Sequence, residues 1–474
     1  AIAMPMTLEA VVAYLATVAI GGAVVSIADS FAPEEIARRL RISDAEVVVT
    51  QDEMVRSGRS LPMYAKVRDA TDLPTVVVET GAVLDDQFDV TWTDLLSTDG
   101  QLDPVTVGSD HVSNILFSSG TTGDPKAIPW THLTPIKGAM DAHFLHDVHR
   151  GDVVAWPTNL GWMMGPWLIY ASLVNGAAMA LFDDAPIGPE FCRFVADAEV
   201  TMLGVVPSMV RSWRSTDATA GVDWSHIKVF SSTGEASTPS DMDWLMHVPG
   251  QSDGTTRPVI EYCGGTEIGG GYIAGSVLQP AISSTFSMPA LGLDIRILDD
   301  EGEQSTSGTA YLVPPAVGLS DRLLNRDHDE VYYQDLPITD VPLRRHGDQM
   351  ERLENGYHRA RGRSDDTMNL GGIKVSSAEL EEAVGGLDGV LETAAVAVPP
   401  DDGGPDRLVI FAVPQPEQSL DSESIRLAMQ DRIKARLNPL FKVSEVSVVD
   451  ALPRTASNKV MRRVLRNTLT DGDL

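Results

Sequence analysis

Short β-branched runs alternating with helix-like stretches from residue 1 to about 360 place this chain among α/β proteins, with a large N-terminal domain of mostly parallel sheets packed with helices. A change of character near Gly362 adds a small α+β domain. The length agrees, since 474 residues suit one large unit and a smaller one. The domains are read as 1–362 and 363–474, meeting at the turn-rich Gly362-Arg363-Ser364-Asp365-Asp366.

In chain order, strands are expected at Ala45-Glu46-Val47-Val48-Val49, Thr75-Val76-Val77-Val78, Asn114-Ile115-Leu116-Phe117, Met202-Leu203-Gly204-Val205-Val206 and Val229-Phe230-Ser231-Ser232. Beyond the joint come a helix from about Ser377 to Val384, strands near Thr393 to Val398 and Leu408 to Val413, and a helix from about Ser422 to Leu437. A strand near Val446 to Val449 and a last helix from around Lys459 close the order. The apolar run Val11 to Ala28 reaches the lower limit for a spanning helix, but Gly21-Gly22 divide it and Val24-Val25-Ser26-Ile27 reads as a strand. It is read as buried helix, turn and strand, not as a membrane span. The start at Ala1-Ile2-Ala3, without a methionine, is read as a large domain lacking its N-terminal part.

Charge narrows the functional classes. The chain carries 36 basic and 67 acidic side chains, a formal balance of −31. Such a surface repels nucleic acid and anionic membrane. It also suits a halophile protein in concentrated salt, where self-repulsion is screened within about 3 Å at 1 M. Cys192 and Cys263 are too few for a disulfide framework or a Cys-rich zinc site, so a cytoplasmic setting is the default. No oligomeric state is legible.

The strongest local signal is Ser118-Ser119-Gly120-Thr121-Thr122-Gly123-Asp124-Pro125-Lys126, directly after the strand ending at Phe117. Its glycines open the backbone to close approach, its hydroxyls donate, and its lysine brings charge, which together suit a polyphosphate. The spacing is not Walker A, so a P-loop NTPase is disfavoured. His143, His146 and His149 drift round a helix by about 60° per step, which speaks against a zinc site. No Gly-x-Ser-x-Gly elbow occurs.

Read together with Gly234-Glu235, Tyr262-Cys263-Gly264-Gly265-Thr266-Glu267, Gly347-Asp348, Gly362 to Asp366 and Pro453-Arg454-Thr455-Ala456-Ser457-Asn458-Lys459, that loop resembles the adenylate-forming superfamily. The chain looks most like AMP-forming acyl-CoA synthetases of the acetyl-CoA synthetase type and plant acyl-activating enzymes. The resemblance implies that a carboxylate and ATP give acyl-adenylate and pyrophosphate, after which the mobile small domain swings and CoA displaces AMP. Transfer to a carrier-protein thiol and an inactive remnant are the alternatives. The small-molecule partners implied are ATP, CoA and a carboxylate, with Mg²⁺ as cofactor.

By the same resemblance Ser118, Ser119, Gly120, Thr121, Thr122, Gly123 and Lys126 cradle the β- and γ-phosphates. Thr266 touches the α-phosphate and Glu267 holds the metal. Gly234, Glu235, Tyr262 and Cys263 border adenine, and Asp348 takes the ribose hydroxyls beside Arg363. Cys263 stands where the family commonly has an aromatic ring, so stacking either comes from elsewhere, with Tyr262 the candidate, or is absent. Asp365 matches the hinge, Gly371 and Gly372 match the turn at the CoA channel, and Lys374 replaces an arginine there.

Lys459 is the catalytic candidate for adenylation, a cation able to hold two repelling anions together. Between Asp431 and Arg466 nine basic residues face three acidic ones, a local reversal of the overall charge. Asn458 replaces the usual glycine before it, at a position where left-handed geometry suits Asn. The acyl pocket is expected from Trp162, Met163, Met164, Thr233 and Gly264. Gly264 aligns with a tryptophan that plugs acetate-specific pockets, so propionate-sized to medium-length acids are expected, with broad acceptance.

Overall fold

The computed structural model describes residues 1–80, 89–97, 100–118, 124–234, 237–248, 254–299, 301–363, 367–371, 373–400, 405–415, 418–453, 460 and 462–470. In the large domain, the first sheet runs in the order Val90–Thr91, Thr75–Val78, Val48–Gln51, Ile2–Ala3, Val24–Ile27, Val112–Ser118, Lys126–Thr131. Every pairing is parallel except the last. The second sheet places Ala178–Ala180, Val153–Ala155, Met202–Val205, Val229–Ser232 and Val259–Gly265 in parallel, then turns antiparallel through Gly270–Ala274 to Met288–Pro289. Met202–Val205 and Val229–Ser232 are buried at every position, as strands covered on both faces must be. Helices entered through Pro33, Pro189, Pro207 and Pro239 cover these sheets, the missing N–H costing nothing at a first turn.

The run Val11 to Ala28 is the helix Leu8–Ala19, a turn in which Gly21 takes φ of +80°, and the strand Val24–Ile27. Pairing of that strand with Ile2–Ala3 and with Asn114 and Ile115 accounts for its apolar character. Among the described residues, no helix is long and apolar enough to cross a membrane. The strand expected from Ala45 begins instead at Val48, because Asp44 caps the preceding helix in the left-handed region and Val47 is exposed.

An antiparallel sheet, Asp294–Leu298, Ser307–Val313, Arg344–Arg352 and His358–Arg363, follows. The small domain opens with the hairpin Thr367–Leu370 and Ile373–Ser376. Helices Ser377–Val384, Ser422–Arg436 and Arg462–Thr470 then pack with the sheet Val390–Val398, Arg407–Pro414 and Val443–Val448. The last helix starts at Arg462, three residues later than its sequence signal. Trp162 of the large domain packs against the small domain's core and against the core around Phe31. Ala32 N donates to Leu437 O and Asn438 Nδ2 to Ser30 Oγ, which ties the two domains at that point.

Candidate active site

Ser118 ends one strand and Lys126 begins the next, and the two are direct cross-strand partners. Ser118 and Lys126 thus stand side by side at the ends of an antiparallel strand pair. Ser119, Gly120, Thr121, Thr122 and Gly123 lie outside the described residues. Lys126 Nζ sits 5.2 Å from the centre of the Tyr332 ring. Asn325, which carries no motif signal, clamps the loop's end: its Nδ2 donates to Pro125 O at 2.9 Å and its Oδ1 accepts from Ala127 N at 3.0 Å.

Beyond the strand Val229–Ser232, Thr233 Oγ1 donates to Tyr262 O at 2.5 Å, and Gly234 takes φ of +91°. Glu235 lies outside the described residues. In the turn after the neighbouring strand Val259–Gly265, Thr266 O accepts from Trp130 Nε1 at 2.7 Å, and Glu267 O accepts from Ser320 N at 2.8 Å. Thr266 and Glu267 are thereby fixed at the mouth of the second sheet, where α/β folds place ligands.

Asp348 is buried and accepts from Tyr272 Oη at 2.7 Å, with Cys263 Sγ 3.5 Å away. Burial first, and then the Asp348 charge, raise the Tyr272 phenol well above its ordinary value. Arg363 stands opposite Asp348 across the sheet. Cys263, Thr266 and Glu267 come from one strand and the turn after it, whereas Asp348 comes from the separate strand Arg344–Arg352, so no local pattern dictates their meeting with it.

Tyr262 does not meet its expectation as a stacking ring. It is fully buried, its hydroxyl donates to Asp141 Oδ2 at 2.5 Å, and its ring packs against His146 and Trp167. A phenol with a buried acceptor stays with that acceptor, and the aromatic face is spent on the core. Gly264 does line the pocket, but an added Cβ would meet Gly270 O at 2.0 Å, across the register shift that follows Cys263. Close strand approach thus requires the glycine, whatever the acyl group.

The cleft encloses about 180 Å³ between the domains. Trp162, Met163, Met164, Thr233 and Gly264 share it with Phe31, Phe117 and the Thr266–Glu267 pair. From the small domain, Ile373 and Val375 of the hairpin, Glu379, Leu437, Asn438 and Phe441 complete its wall. Asn369 Nδ2 donates to Gly234 O, which seats the hairpin on the large domain. Gly371 turns that hairpin at φ of +61°. Lys374 lies on its second strand, with Leu370 pairing Ile373 across the turn. Gly372, Asp365, Asn458 and Lys459 lie outside the described residues.

Glu35 and Arg39 also line the cleft, paired at 2.5 Å and both buried. The Arg39 guanidinium lies 3.9 Å from the Phe31 ring centre. An i, i+4 pair of this kind reads in sequence as a surface bridge, which is why it carried no site signal.

Among the described residues, no group of three or more His, Cys, Asp or Glu side chains is disposed to hold a metal ion. Mg²⁺ keeps several waters and binds through one or two carboxylates together with substrate phosphates, so a carboxylate placed as that of Glu267 fits it.

Glu261, on the strand carrying this motif, is buried, and Oε1 has no partner among the described residues. Burial pushes its carboxyl up from 4.5 to about 7, against the smaller opposing pull of the Ser237 and Ser232 hydroxyls. Between those values the folded chain holds a proton that the unfolded chain has lost, so stability falls as pH rises through the window. Urea unfolding at about pH 5 and about pH 8 should show this fall in the wild type, lessened by on the order of 3 kcal/mol in Glu261→Gln. Equal falls in both proteins would contradict it.

The sequence profile of the AMP-binding enzyme family matches residues 1–310, and that of the AMP-binding enzyme C-terminal domain matches 379–459. "Probable acyl-activating enzyme 17, peroxisomal" of Arabidopsis thaliana is 51% identical, over 100% of this chain and 68% of its own length. "Hexanoyl-CoA synthase" of Cannabis sativa is 48% identical, over 98% of this chain and 66% of its own. "Acetyl-coenzyme A synthetase" of Escherichia coli (strain K12) is 30% identical, over 100% and 75%. The chain thus spans about two thirds of the length of the plant relatives. In fold, "Acetoacetyl-CoA Synthetase from Streptomyces lividans" matches with a TM-score of 0.73 at 24% identity, over 99% of this chain and 73% of that one.

Proposed function

Since the chain belongs to the AMP-binding enzyme family, on its acyl-activating and CoA-synthetase branch, we propose that it joins a short- to medium-chain carboxylic acid to CoA in two AMP-forming steps. In the first, a carboxylate oxygen attacks the ATP α-phosphorus and pyrophosphate leaves. In the second, the CoA sulfur attacks the acyl carbon, AMP leaves with the bond electrons, and the thiol proton passes to solvent.

The supporting observation is the cleft itself, in which the acyl walls, the Thr266–Glu267 pair and the small-domain hairpin meet. Ser118, Lys126 and the loop between them hold the β- and γ-phosphates, Gly234 and Cys263 border adenine, and Asp348 with Arg363 takes the ribose. Glu267 holds Mg²⁺, which when bound offsets charge on the phosphates. The hairpin at Gly371 faces the cleft, an orientation suited to thioester formation. Adenylation would then require rotation about Asp365 to bring Lys459 in.

Met163 and Met164 give the acyl wall adaptable side chains, and the relative named hexanoyl-CoA synthase supports an acid near six carbons. A chain with only two cysteines, Cys192 and Cys263, and so no disulfide framework, supports a reducing compartment such as the cytoplasm. The balance of −31 supports operation at high salt, so the assay belongs in molar KCl with a low-salt arm. Across acids from acetate to decanoate, kcat/KM should peak between propionate and octanoate, exceeding acetate by at least about tenfold. A maximum at acetate would overturn the chain-length reading.

A further inference from the structure

The strand Arg344–Arg352 pairs with Ser307–Val313 through a bulge. Ala310 faces Asp348 and the next residue, Tyr311, faces Arg345, so His346 and Gly347 are extra residues in the strand. Gly347 takes φ of +95°, a conformation that glycine adopts freely. Bulges commonly re-aim side chains beside active sites. Here His346 is 4% exposed, with Nε2 3.1 Å from Asp348 Oδ2 and Nδ1 3.7 Å from Glu267 Oε1. Its ring lies against Tyr272, 4.4 Å between centres. Neither ring nitrogen has an aligned hydrogen-bond partner among the described residues. A buried polar ring so placed needs an explanation beyond packing.

We propose that His346 is a positioning residue of the nucleotide site: when nucleotide binds, Nε2–H lines up on Asp348 and holds that carboxylate for the two ribose hydroxyls. The proposal rests on the ATP-site reading above. An ionised carboxylate offers about four lone-pair sites. Tyr272 Oη donates to Oδ2, and His346 Nε2 lies beside the same oxygen. The Tyr272 ring packs against the imidazole.

Calorimetric binding of AMP and of 2′,3′-dideoxy-AMP, without metal or turnover, tests this directly. The ratio of the 2′,3′-dideoxy-AMP Kd to the AMP Kd isolates the ribose hydroxyls from any general loosening of the pocket. That ratio should fall roughly tenfold in His346→Phe, which keeps the ring and removes the donor. Gln can place its amide nitrogen where Nε2 stands and should preserve the ratio, whereas Asn reaches only the Nδ1 position and should lose it. A wild-type ratio in His346→Phe would overturn the proposal, as would equal ratios in the Gln and Asn variants, which decide the matter should the Phe variant not fold. A wild-type protein that binds both nucleotides equally would instead overturn the ATP-site reading of Asp348, and the proposal with it.

Discussion

Replacing Lys459 by alanine should lower carboxylate-dependent adenylation by roughly 10²–10³-fold, the range seen when one preorganised group is withdrawn from developing charge. Thioester formation from supplied acyl-adenylate and CoA should stay near the wild-type rate, because that step is assigned to the orientation in which the Gly371 hairpin faces the cleft. The measurement is pyrophosphate–ATP exchange for the first half-reaction and acyl-CoA appearance for the second. Equal loss of both would indicate that Lys459 supports folding.

Lys137→Met should cost about 3–5 kcal/mol of stability, the range expected when one partner of a buried ion pair is removed. Lys137 Nζ lies 2.5 Å from Asp141 Oδ1, and both side chains are 1% exposed. Asp141 Oδ2 also accepts from Gly271 N at 2.9 Å and from Tyr262 Oη at 2.5 Å. The stranded charge would therefore sit under the strand pair that carries Thr266 and Glu267. Adding Asp141→Asn removes the charge yet keeps an acceptor, so the double variant should recover at least about 1 kcal/mol relative to Lys137→Met. Urea unfolding of the three proteins reads this. A loss under about 1 kcal/mol in the single variant would show that the pair is not a structural keystone.

Much of the architecture was legible locally. The division of Val11 to Ala28 into helix and strand followed from Gly21-Gly22 and the β-branched residues after them. The helix Ser377–Val384 falls at its expected bounds, and the strands Val390–Val398 and Arg407–Pro414 contain the expected segments. The order of motifs along the chain pointed to the family, since each motif packs its chemistry into a few consecutive residues.

What escaped depends on distant contacts. Tyr262 looked available for stacking, and only its pairing with Asp141, 121 positions earlier, turns it inward. Gly264 carried a pocket argument in sequence, whereas the approach of Gly270 O adds a backbone requirement that no alignment of side-chain sizes reveals. Glu35 and Arg39 carry no local signal of a site, and only Phe31 and the small domain make them part of the cleft. For His346 a signal was present, a histidine two positions before the Asp348 carboxylate. Its reach to Glu267 appears only once separate strands meet.

The central claim is that this chain activates a carboxylic acid by cleaving ATP between the α- and β-phosphates and passes the acyl group to CoA. In molar KCl with ATP, Mg²⁺, CoA and hexanoate, AMP, pyrophosphate and hexanoyl-CoA should form in equal amounts, and omission of the acid should abolish all three. Release of ADP and phosphate, or nucleotide turnover indifferent to the acid, would contradict it.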